Sequence, residues 1–66
     1  MDAVKEIIIA ACMLANNNKI NEAIAKYKMA FKECEITDYI PGRIVCCYRL
    51  GCLYYKKVSL FSLNHA

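Results

Sequence analysis

Through the middle of the chain Ile20, Ile24, Tyr27, Phe31 and Cys34 recur at intervals of 4, 3, 4 and 3 residues. That rhythm marks one face of an α-helix. Ala23 and Ala30 flank the stripe with small side chains that let a second helix come close. Glu22 and Lys26 lie one turn apart on the opposite face, in the orientation that supports a helix. We expect a helix over about 20–35. Upstream, Val4, Ile7, Ala11 and Leu14 repeat the pattern and predict a helix over about 2–15. Asp2 suits its N-terminus both as a cap and as a negative charge at the positive end of the helix dipole. Ile8, Ile9, Cys12 and Met13 are apolar as well, which predicts burial on more than one side. Three adjacent isoleucines also suit a strand. The Ala-Ala-Cys-Met-Leu-Ala that follows favours helix.

Between these segments stands "NNNK". Asparagine tolerates the left-handed conformation that ends helices and also caps the next one. So short a link predicts an antiparallel helical hairpin. Further on, "EITDYIPG" reads as a loop over residues 35–42, with Thr37 and Asp38 as turn residues. Pro41 disfavours helix at Ile40 and suits the first turn of a new helix. A third helix is expected over about 42–57. Residues 58–66, "VSLFSLNHA", read as an apolar tail, an extension of the third helix, or a partial fourth helix starting at Ser59. The fold class is all-α: an antiparallel hairpin plus a third helix, within one domain over 1–57.

Composition changes the picture at one point. Chains of about 60 residues bury only about 60% of their unfolded surface, yet 59% of this chain is hydrophobic. Apolar residues in excess of what a small core can hide must face outward, where they mark association surfaces. Neither apolar stretch reaches the roughly 20 residues a membrane span requires. The opening "MDAVKE" has no basic lead, so no secretory signal is expected. Charge is uneven: residues 1–38 carry six acids and five lysines, whereas 39–66 carry Arg43, Arg49, Lys56, Lys57 and no acid. Four dispersed cations are too few for a nucleic-acid interface, and none is expected.

Five cysteines is an odd number, and they sit in helix-like stretches where free cysteine behaves as a small hydrophobe. This predicts a reducing, cytoplasmic setting. Zinc sites favour close pairs of ligands, and Cys34, Cys46, Cys47, Cys52 and His65 lack that spacing. Neighbours on a helix point about 100° apart, so Cys46 and Cys47 cannot aim at one ion. We expect no metal and no cofactor. The lone histidine is one residue from the end, and no phosphate-cradling glycine loop or nucleophile–base set is visible. No enzymatic activity is expected.

In "EAIAKYKMAF", Ala23, Tyr27 and Ala30 follow a small–aromatic–small pattern, and "YRLGCLYYK" places Leu50, Gly51 and Tyr54 at helical offsets. These segments resemble the tetratricopeptide repeats, helix–turn–helix units of about 34 residues. Ala11 and Leu14 stand at the matching positions of the first hairpin, and Ile7 and Cys47 replace the usual tryptophan. Aligning Gly51 with Ala11 makes the interval 40 residues, so the loop after residue 35 would hold about six extra. About one and a half repeats are covered. "NNNKINEAIAKYKMAFKEC" is also similar to the microtubule-interacting-and-trafficking domain, a three-helix peptide binder. Either resemblance implies protein–protein interaction.

With Gly51 packed toward helix two, Tyr48, Arg49, Cys52, Tyr55 and Lys56 form the other surface of helix three, which the repeat resemblance equates with a concave partner-binding groove. Ile8 and Cys12 occupy positions where that family's carboxylate-clamping groups would stand. The function expected is a small adaptor or subunit that binds a protein partner, or itself, through apolar helix faces. Two other classes stay open: a metal- or redox-responsive switch using Cys46, Cys47 and Cys52, and a peripheral membrane binder using the basic, tyrosine-rich half.

Overall fold

The computed structural model describes residues 2–65, with side chains described for 3–60. Three helices follow one another: α1 (Asp2–Asn16), α2 (Ile20–Ile36) and α3 (Ile40–His65). No strand occurs among the described residues, and the isoleucine run Ile7–Ile9 is helical. The expected cap at Asp2 lies outside the described side chains.

Both links are three residues long and built alike. At the first, Lys19 N–H donates to Leu14 C=O (2.9 Å) and Asn18 N–H to Ala15 C=O (3.1 Å). At the second, Tyr39 N–H donates to Cys34 C=O (2.8 Å) and Asp38 N–H to Glu35 C=O (3.3 Å). This pair of bonds is the Schellman closure, and it needs a left-handed residue just past the helix. Asn18 (φ 62°) and Asp38 (φ 54°) are those residues. Thr37 donates twice to Glu33 C=O, from its backbone N–H at 3.0 Å and from Oγ1 at 2.8 Å. No asparagine caps α2: Lys19 holds the N-cap position and makes no side-chain cap bond.

The second link is therefore shorter than the eight-residue loop expected over 35–42. α2 continues to Ile36, and α3 begins at Ile40, with Pro41 in its first turn, where a missing N–H costs nothing. Beyond Lys57, α3 continues without a break to His65, so residues 58–65 extend the helix and form no separate fourth one.

α2 packs against both other helices, whereas α1 and α3 scarcely touch. The arrangement is an open layer, not a closed bundle. Ala11, Ala23, Tyr27, Ala30, Cys34 and Cys46 are almost wholly buried. Small residues at most of these positions let the helices approach closely around Tyr27, the largest fully buried side chain. On α1, burial is one-sided: Ile9 and Met13 keep 50% and 62% of their surface exposed. That exposure corrects the expectation of burial on more than one side.

The close approach of α3 to α2 is made by Gly42, not Gly51. A Cβ on Gly42 would lie 2.5 Å from Cys34 Sγ and 2.7 Å from Tyr39 Cδ2. One on Gly51 would meet nothing within 4 Å. The buried line of α3 is thus Gly42, Cys46 and Leu53, with Leu50 half-buried, while Cys47, Gly51 and Tyr54 are exposed. Cys46, thirty-five residues after Ala11, is buried as deeply as Ala11 is.

Candidate interaction surface

Because α1 and α3 flank α2 without closing on each other, a groove of about 570 Å³ lies between them. Val4, Lys5, Ile8 and Ile9 form its α1 wall, and Tyr39 of the second link with Pro41, Gly42 and Val45 of α3 the opposite one. Lys5 is the single charged residue among these.

The five residues singled out from the sequence are all exposed, and none lines this part of the groove. They are nevertheless contiguous. At about 100° per residue, Arg49, Lys56, Cys52, Tyr48 and Tyr55 follow one another around α3 over an arc of roughly 120°. One contact orients the arc: Lys56 Nζ donates to Asn18 Oδ1 at 3.5 Å, at the α1–α2 turn. Val45, on the same flank of α3, lines the groove with α1. The arc thus begins on the flank of α3 that faces α1, beside Val45, and runs outward to Tyr55. Sequence reasoning missed the groove itself, because α1 supplies half of it through residues that read only as core. Ile8 is half-buried and Ile9 exposed.

Between α1 and α2, the Tyr27 hydroxyl and the Cys12 thiol are 2.9 Å apart. Burial, then this contact, pushes the Tyr27 pKa up to about 12. Burial likewise pushes the Cys46 thiol up to about 11, with the neighbouring Cys34 thiol adding to the effect. A thiol so disposed to keep its proton is a poor nucleophile and a poor metal ligand. Cys47 and Cys52 are exposed and Cys46 is buried, so the three do not share a face. All five cysteines are free, and among the described residues no three metal-ligating side chains gather around one point. The side chain of His65 lies outside the described residues. On the far side of α3, Lys28 Nζ sits 5.7 Å from the centroid of the Tyr54 ring, a cation–π contact joining α2 to α3. No helix of the described residues is long and apolar enough to cross a membrane.

No protein-family model matches the chain, and neither the curated proteins nor the solved structures include one similar enough to count as a relative.

Proposed function

We propose that this chain is a protein–protein interaction module, a small adaptor or a subunit of a larger assembly, without enzymatic activity. The observation that carries the reading is the open layer. Three helices leave an apolar groove between α1 and α3, bordered by the arc Arg49, Lys56, Cys52, Tyr48 and Tyr55. Aromatic and arginine side chains beside an apolar groove are frequent binding anchors. Deep burial of Ala11, Ala23, Tyr27 and Ala30 supports a tetratricopeptide-like arrangement of the first hairpin, where these residues carry the resemblance; in α3 only Leu50 of the matching residues is half-buried, while Gly51 and Tyr54 are exposed. The spacing of thirty-five residues from Ala11 to Cys46 adds to it, being close to that family's period. Free thiols on exposed and buried positions alike suit a reducing compartment such as the cytoplasm.

The test is affinity capture from the source cell with the native chain and with an Arg49→Glu/Lys56→Glu variant. Both residues are exposed, so the variant keeps the fold, which circular dichroism checks. The expected outcome is a defined co-purifying protein that the variant loses. A captured set indifferent to the charge reversal would overturn the assignment of the arc.

A further inference from the structure

Cys34 and Cys46 are the two cysteines with no exposed surface, one on α2 and one on α3. They meet across the second link. A Cβ on Gly42 would stand 2.5 Å from the Cys34 sulfur, so that sulfur rests directly on α3 at Gly42. Cys46 follows Gly42 by four residues, one turn further along the same face. Side chains on a helix lean toward its N-terminus. The three-residue link makes α2 and α3 antiparallel. Cys46 therefore leans back toward Gly42, while Cys34 leans away from the link, toward Cys46. The missing side chain at residue 42 is what leaves room for the two sulfurs. A second observation agrees: the charge of Cys34 acts on the Cys46 thiol more strongly than that of Cys47, its neighbour in sequence. Neither thiol lines the groove or belongs to the arc, so the interaction reading leaves the pair without a role.

We propose that Cys34 and Cys46 are a reversible redox pair, closing to an α2–α3 disulfide when the surroundings become oxidising. The device goes beyond the interaction reading and does not depend on it. It also differs from the trio Cys46, Cys47 and Cys52, whose members do not share a face. The oxidant is a small disulfide such as glutathione disulfide. One protein thiolate attacks it, forming a mixed disulfide and releasing one glutathione thiolate. The other protein thiol gives its proton to solvent, displaces the second glutathione and closes the bond. Two cysteine sulfurs are oxidised, and one glutathione disulfide is reduced to two glutathiones. Burial keeps the resting pair slow to react, with the Cys46 pKa pushed up to about 11. Reaction waits for α3 to lift from α2 in a local opening. Once closed, the bond fixes the groove wall of Pro41, Gly42 and Val45 against α2.

The full chain carrying Cys47→Ser and Cys52→Ser tests this, because both residues are exposed and their removal leaves Cys12, Cys34 and Cys46. It is held for hours with glutathione disulfide at about pH 8.5, where thiolates form faster. We expect two of the three thiols to be lost to alkylation. A trypsin digest should then join residues 33–43 to residues 44–49 through sulfur. Closing the loop should raise Tm by about 8 °C or more, and dithiothreitol should reverse the gain. Adding Cys34→Ala should abolish the gain. If that variant fails to fold, the digest of its parent decides alone. Three thiols still free after the exposure overturn the inference. So do a link to Cys12, a link between two chains, a mixed disulfide that never closes, or a closed chain whose Tm does not rise.

Discussion

Gly42 and Gly51 lie on the same helix in opposite surroundings. A methyl group on Gly42 collides with the Cys34 sulfur and the Tyr39 ring, whereas one on Gly51 enters open space. Gly42→Ala should therefore lower stability by about 1–2 kcal/mol, an overpacking cost partly offset by better helix propensity. Gly51→Ala should raise the stability of the monomer by roughly 0.5–1 kcal/mol. Urea unfolding of dilute samples of both variants checks the pair of signs. Two buried acids, Tyr27 and Cys46, make a pH prediction. Their folded pKa values, about 12 and about 11, lie above the ordinary 10.0 and 9.0. The unfolded chain thus sheds these protons first, so stability is full below pH 9 and falls as pH rises from there to about 12. A falling Tm over that window is expected, with Tyr27→Phe removing the upper part of the slope. Sequence pattern made the burial of Tyr27 legible. It could not show which glycine a neighbour crowds, because that depends on the register between helices.

Each helix was legible as an element because α1 and α2 carry unbroken stripes. The second link was misjudged because Thr, Asp, Pro and Gly all mark turns, and only two of them, Thr37 and Asp38, are used that way. The Schellman closures use side chains that tolerate, but do not prefer, a left-handed backbone. Replacing Asp38 by glycine should release that strain, stabilising the chain by roughly 1 kcal/mol, or a Tm rise of about 4–8 °C. Asp38→Val should do the reverse, since a β-branched residue resists positive φ. Calorimetry of the two variants separates backbone strain from any loss of the Asp38 charge, which both remove.

At the scale of the whole molecule, the long axis of 43 Å is about that of α3 alone, while α2 spans roughly 25 Å. The radius of gyration, 12.6 Å, exceeds the roughly 11 Å of a compact chain of this length. Composition made an outward apolar surface legible, and its location on α3 followed from the tyrosines. The groove was not legible, since it exists only because α1 and α3 stand apart.

α3 outruns its neighbours because no turn interrupts it. Left-handed residues fall at Asn18 and Asp38, and among the described residues none follows. Val58, a β-branched residue that resists positive φ, lies within the unbroken stretch. An unbent rod results, with Tyr48 and Tyr55 left bare along it. Writing Asn-Gly at residues 57 and 58 should favour a hinge there, which a loss of helical signal in circular dichroism would show.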